Sequence, residues 1–166
     1  NIVDLIGSPL SASEVTLGII LASVTRSFII SIVSVISFNF FVNINILNYS
    51  YFFTYLFLSS FLLGSLGFIA GMWAEKFDNM ATVTNFIIVP LSFLSGTFYS
   101  IEKLPTIIKE LSLYNPFFYM IDGMRYSMIG ISDGPIKIGI VYLLSLNLIF
   151  WFIAFFLYKK GYKIKT

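Results

Sequence analysis

The sequence predicts an all-α, polytopic membrane protein with four transmembrane helices and a short helical hairpin. Of its 166 residues, 58% are hydrophobic and only 11% are charged, and the mean hydropathy is +0.92. Chains that fold in water carry about 25% charged residues, so this composition fits a lipid environment. The formal net charge of +2 does not indicate a nucleic-acid partner.

The four spans come from the longest intervals without Asp, Glu, Lys or Arg, because a helix needs about 20 mostly apolar residues to cross the hydrocarbon. Residues 27–74 form one such interval, which as a single helix would be about 72 Å long. Asn43, Asn45 and Asn48 therefore mark a turn within it. We expect spans at residues 17–42, 51–74, 79–101 and 138–158.

The distribution of basic residues predicts the orientation. The tail, residues 159–166, holds four lysines and should be cytoplasmic, because Lys and Arg concentrate on that side. With four spans, residues 1–16 and the turn at 75–78 lie on the same side. Residues 102–137 then lie outside. We expect a plasma-membrane protein, with both ends of this segment in the cytoplasm.

Before the first span, Ser11 and Glu14 have the spacing of a capping box, so a helix should begin just after Ser11. Arg26 would be costly at the bilayer centre and is expected near the interface. The segment from Ser8 and Pro9 to Glu14 is either a cytoplasmic contact for a partner protein or an ordinary helix start.

Small residues line the second span at Ser60, Gly64, Gly67 and Gly71. Such residues allow close approach of helix backbones. We interpret them as internal packing positions, with a subunit interface as the alternative.

The third span contains Pro90, which removes one helix hydrogen bond and predicts a kink. Gly96 follows, where a turn or a tight contact is possible. The kinked helix is either a gate or simply a bent span.

Residues 102–137 differ from the spans because they carry eight charged side chains. Two apolar runs, 107–113 and 117–131, are separated by Asn115 and Pro116, and each is too short to cross the membrane. They predict either two re-entrant half-helices or an amphipathic loop on the surface. Asp122 and Arg125 are three residues apart and can pair, as a structural ion pair or at the mouth of a pathway.

Two stretches in this region resemble the signature of the ABC type-2 permeases, the membrane subunits of a class of ATP-binding-cassette exporters. They are PLSFLSGTFYSIEKLP, residues 90–105, and LSLYNPFFYMIDGMR, residues 111–125. The matching positions are Pro90, Leu94, Ser95, Gly96, Phe98, Tyr99, Leu104, Pro105, Asn115, Pro116, Asp122 and Arg125. Upstream, residues 8–11 and 71–79 are similar to the family's cytoplasmic segments.

The resemblance implies six spans, of which this chain would supply the third to the sixth, with a re-entrant hairpin on the outer face. The family's N-terminal amphipathic helix and first two spans would be absent. The resemblance also implies a dimer with a second permease copy and with cytoplasmic ABC ATPase subunits, which bind the ATP and Mg²⁺. Residues 8–14 would contact the ATPase. The implied substrates are polysaccharides, lipid-linked glycans, drugs or peptides.

Other function classes fit the composition less well. The chain contains no Cys and no His, and the predicted spans contain no Asp or Glu. A membrane-embedded lipid enzyme would need such groups, so we expect no catalytic, cofactor-binding or metal-binding residues here. A channel or structural subunit is the other alternative, because Ser27, Ser31, Ser34 and Ser37 recur along one helix face.

Overall fold

A computed structural model describes residues 10–74, 77–98, 100–101 and 104–161 of the protein. The described residues form helices and connecting turns, without strands. We number the α-helices α1 to α7, and a single π-helix lies between α3 and α4. Their bounds are α1 Ala12–Asn39, α2 Tyr49–Trp73, α3 Phe77–Val83, π-helix Thr84–Ile88, α4 Val89–Phe93, α5 Thr106–Tyr114, α6 Pro116–Ile129 and α7 Ile136–Lys159.

The helix α1 begins with the predicted capping box. The Ser11 hydroxyl oxygen accepts from the Glu14 N–H at 3.4 Å, and a Glu14 carboxylate oxygen accepts from the Ser11 N–H at 2.7 Å. The helix then continues through Arg26 without interruption to Asn39. The start predicted just after Ser11 is confirmed.

The centre of the fold is α2, which packs against α1, α6 and α7. Its start is fixed by Asn48, whose side-chain oxygen accepts from the Tyr51 N–H at 3.3 Å. The Asn48 N–H donates to the Ser127 carbonyl at 2.9 Å, which joins this start to the end of α6. The hydrophobic core combines side chains of α2, α6 and α7 with Ile101; among them Tyr55, Leu62, Phe118 and Leu143 are almost fully buried.

Within the third predicted span, residues 79–101, the helix α3, the π-helix and α4 follow one another without a gap only as far as residue 93. Residues 94–98 of that span form turns rather than helix. The π-helix ends directly before Val89 and Pro90. Pro90 has no N–H to donate to the preceding turn, and both prolines and π-turns are common sites of helix bending. The bonding pattern therefore changes where the kink was predicted.

The hairpin consists of α5 and α6, separated by Asn115. Pro116 is the first residue of α6, where its missing N–H costs no helix bond. The helix α6 ends at Ile129 and is followed by the cap residue Gly130, which adopts a positive φ of 73°. Helices therefore occupy both apolar runs that the sequence singled out.

The prediction of an all-α polytopic membrane protein is confirmed. Three helices, α1, α2 and α7, are long and apolar enough to cross a membrane. The apolar helix Asn79–Phe93 in the third predicted span is shorter than these three. The predicted turn at 75–78 includes residues 75 and 76, which lie outside the described residues.

Candidate functional site

The candidate site is a polar network that joins the hairpin to the segments before and after it. Its centre is Asp122 on α6, which is only 2% exposed. One carboxylate oxygen accepts from the Asp133 N–H at 2.8 Å, and the other accepts from the Gly134 N–H at 3.1 Å. Asp122 therefore fixes the turn that leads into α7.

The charge of Asp122 is balanced in part by Arg125, one turn later on the same helix. An Arg125 guanidinium nitrogen lies 3.6 Å from the Asp122 carboxylate and 3.3 Å from the Asp133 carboxylate. Burial raises the pKa of the Asp122 carboxyl above its usual value, although the two backbone N–H groups and Arg125 favour the charged form. The predicted pair is thus part of a triad with two carboxylates.

The same network holds the segment that follows α4. An N–H on the second guanidinium nitrogen of Arg125 donates to the Gly96 carbonyl. The Asp133 carboxylate accepts from the Ile101 N–H at 3.1 Å. Gly96 has a positive φ of 73°, which favours glycine and turns the chain away from α4. Arg125 therefore connects three parts of the chain: the segment after α4, α6 and the turn before α7.

The C-terminal end of α4 is held by polar side chains of the hairpin. The Asn115 side-chain N–H donates to the Leu91 carbonyl at 2.7 Å. The Ser112 hydroxyl lies 3.1 Å from the Leu94 carbonyl. The last carbonyls of a helix have no partner within it, so the Asn115 side chain satisfies a group that would otherwise be unpaired. The single hydroxyl hydrogen of Ser112 is shared between the Leu94 carbonyl and the Ile108 carbonyl of its own helix, at 2.9 Å.

Replacing Asn115 with alanine should therefore loosen the contact between α4 and the hairpin. The variant loses the bond to Leu91 and also the N-cap bond that the Asn115 oxygen accepts from the Phe117 N–H at 3.0 Å. We expect a loss of about 2 kcal/mol of stability, measured as a lower midpoint of thermal unfolding in detergent. As a control, Ser145→Ala removes an exposed hydroxyl bonded to its own helix and should change little. Equal midpoints for both variants would contradict the assignment.

Next to this network, Tyr55 of α2 contacts both α6 and α7. Its hydroxyl donates to the Ile136 carbonyl at 2.6 Å, and the residue is 1% exposed. Its ring lies against Gly123, where any Cβ would overlap the ring. At Gly139 a Cβ would lie 2.7 Å from the Tyr55 hydroxyl. Only glycine leaves room for this tyrosine on both helices.

The other residues singled out by the sequence are distributed over the fold. Ser8 and Pro9 lie outside the described residues, whereas Ser11 and Glu14 form the capping box. Pro105 directly precedes α5, at its N-cap position. Their roles, and those of Pro90 and Gly96 as a gate, stay predictions.

The packing residues of α2 divide into two groups. Ser60 is buried, and a Cβ at Gly64 would lie 3.2 Å from the Ser23 side chain of α1. At Gly67 and Gly71, apart from the neighbouring residues and backbone of α2 itself, no described atom lies within 4 Å of the Cβ position. The first two therefore lie within the bundle, and the last two face open space.

Sequence reasoning missed Asp133, Ser112 and Tyr55. Asp133 and Ser112 lie in the hairpin region, and nothing in their local sequence distinguishes them from its other polar residues. For Tyr55, the sequence signal is the pair Gly123 and Gly139, where a Cβ would overlap this tyrosine. Contacts between distant segments are required to identify all three.

Comparison with known proteins decides the family. The ABC-2 type transporter family matches residues 1–129, which is more than half of the chain. The chain belongs to the ABC-2 type transporter family.

The curated relatives agree with this assignment. The chain is 30% identical over its 166 residues to the inner membrane transport permease YadH of Escherichia coli K12, and it covers 65% of that protein. The permease YadH of Shigella flexneri matches with the same identity and coverage. Nodulation protein J of Rhizobium leguminosarum bv. viciae is 26% identical over 86 residues, which are 51% of this chain and 33% of that protein. No solved structure matches.

These findings confirm the family resemblance of the two signature stretches. The chain spans 65% of the YadH length, so the activity, substrates and partners of the whole protein are matters for proposal. The match of 1–129 ends at the last residue of α6 and includes the hairpin with Asp122 and Arg125.

Proposed function

We propose that this chain is part of the permease subunit of an ATP-binding-cassette exporter in the inner membrane. The observation that carries the proposal is the family match over residues 1–129, which includes the signature stretch in the hairpin. The similarity to a named inner membrane transport permease supports it. The permease acts as a dimer, and two cytoplasmic ATPase subunits bind ATP and Mg²⁺ and supply the energy.

In this proposal the hairpin is the outer gate of the pathway. The triad of Asp122, Arg125 and Asp133 ties the hairpin to the segments on both sides of it. These contacts stabilise one packed arrangement of the helices. To open the gate, ATP binding must stabilise a second arrangement, in which the ATPase and the permease make contacts that are absent from the first. The proposed substrate is a polysaccharide, a lipid-linked glycan or a drug.

The start of α1 transmits the motion in this proposal. The capping box at Ser11 and Glu14 stabilises the first turn of a helix that packs along α2. A displacement at this end therefore moves α1 as a unit. The segment from Ser8 to Glu14 is the proposed contact with the ATPase.

The alternatives have less support. In the channel alternative, the serines of α1 would line a pore, yet the Ser27 hydroxyl donates to the Ser23 carbonyl of its own helix at 3.0 Å. Such bonding is usual for serine in a membrane helix. In the enzyme alternative, acid, base or metal-ligating groups would face a cavity in the membrane, and the predicted spans contain no Asp, Glu, His or Cys that could supply them.

The coupling role of the capping box can be tested in the full-length permease that contains this chain, called the parent below, after it is assembled with its ATPase. We expect the double variant Ser11→Ala and Glu14→Ala to lower ATP turnover by the complex several-fold, because a lost cap costs about 1 kcal/mol of helix stability. The measurement is the rate of phosphate release at equal amounts of complex. Thr54→Ala, which removes a hydroxyl bonded to the Ser50 carbonyl of α2, serves as the control. Unchanged turnover in the double variant would refute coupling through this segment.

A further inference from the structure

The position of Arg26 points to a contact that the chain itself does not supply. Fourteen residues of α1 precede Arg26 and thirteen follow it. At 1.5 Å per residue, it lies roughly 20 Å from either end of the helix. The helix is about 42 Å long and the hydrocarbon about 30 Å thick, so Arg26 lies at least roughly 9 Å inside the hydrocarbon when both ends of α1 are outside it. The sequence placed this guanidinium near the membrane surface, whereas the uninterrupted α1 puts it halfway along the helix.

Arg26 also lacks an ionic partner. It is exposed, and no carboxylate of the described residues forms an ion pair with it. A guanidinium at this depth in lipid is unfavourable, and such groups in membrane proteins pair with another group or face water. The assembled protein must therefore provide a partner group or water at this point.

The face of α1 around Arg26 is open to a partner. Gly18, Ala22, Arg26, Ile29 and Val33 follow one another on successive turns, and all five are exposed. The opposite side, with the buried Ile20 and Val24, packs within the bundle. The two residues before Arg26 on the open face have small side chains or none, so another helix can approach there.

We infer that this face of α1 binds a second transmembrane helix whose Asp or Glu carboxylate pairs with Arg26. Charge complementarity requires an anion, and the phosphates of lipids lie at the interface rather than at the depth of Arg26. A second copy of this chain does not supply the acid, because its predicted spans contain no Asp or Glu. The partner is therefore an acidic transmembrane helix other than the spans predicted in this chain.

Photo-cross-linking in the full-length parent tests the contact. p-Benzoylphenylalanine replaces Ile29, one turn after Arg26 and 58% exposed. The control site is Ile149, which is 52% exposed near the middle of α7. After illumination in intact membranes, mass spectrometry identifies the cross-linked species. We expect Ile29 to capture a peptide with an Asp or Glu in an apolar stretch, and Ile149 to capture lipid.

Charge variants then show whether Arg26 makes the contact. We expect Arg26→Glu to lose most of the cross-link from position 29, and Arg26→Lys to retain it. When Arg26→Glu is combined with a change of the captured acidic residue to arginine, we expect the cross-link to return. Three results would overturn the inference: capture of lipid alone at Ile29, capture of a helix without an acidic residue, or an unchanged cross-link in Arg26→Glu. None of these readouts depends on ATP turnover, so failure here is distinguishable from failure of the proposed function.

Discussion

Replacing Gly123 with alanine is expected to separate α6 from α2 and to cause the largest loss of stability of any single-methyl change in this fold. The added Cβ would overlap the ring of Tyr55. This ring cannot move aside easily, because it is almost fully buried and its hydroxyl is bonded to the Ile136 carbonyl. Overpacking of a core costs about 1–3 kcal/mol and occasionally more, and we expect the upper end of that range.

The measurement is the midpoint of thermal unfolding of the detergent-solubilised parent, together with its yield as a monodisperse species. Gly67→Ala is the matched control, since, apart from the neighbouring residues and backbone of α2 itself, no described atom lies within 4 Å of its Cβ position. That change should be neutral or stabilising by up to about 1 kcal/mol, as alanine favours helix. Equal stability of Gly123→Ala and Gly67→Ala would contradict the close contact between the Tyr55 ring and α6.

Replacing Arg125 with glutamine is expected to release the hairpin from the segments on both sides. The variant loses the ion pairs to Asp122 and Asp133 and the bond to the Gly96 carbonyl. Two largely buried carboxylates are then left without a cation, because Asp122 is 2% exposed and the Asp133 side chain is 9% exposed. Removing one partner of a buried ion pair costs about 3–5 kcal/mol.

Hydrogen exchange measured by mass spectrometry locates this effect. We expect faster exchange in residues 94–101 and 130–135, which are the segments that the triad holds, and little change in the middle of α2. Lys137→Gln is the control, because it removes one positive charge from an exposed site near the same turn. Faster exchange in the control, or unchanged exchange in Arg125→Gln, would contradict the role of the triad.

The elements that the sequence predicts well are those with local signals. Ser11 and Glu14 satisfy each other within one turn, so their spacing alone determines where α1 begins. Asn115 and Pro116 likewise mark a boundary, because proline disfavours a helical conformation in the residue before it and is well placed in the first turn of the next helix. Both boundaries are found where they were expected.

The features that the sequence did not predict depend on distant contacts. The sequence predicts that Asp122 pairs with Arg125. In the structure, the shortest contacts of the Asp122 carboxylate are to the backbone N–H groups of Asp133 and Gly134, eleven and twelve residues later. Tyr55 contacts the Ile136 carbonyl across 81 residues of sequence.

Co-purification from the membrane tests the proposal that this chain belongs to a permease driven by a separate ATPase. The full-length permease, tagged and extracted in a mild detergent, is expected to retain an ABC ATPase in a stable complex that hydrolyses ATP. A parent that remains folded and monodisperse but binds no ATPase would contradict the claim.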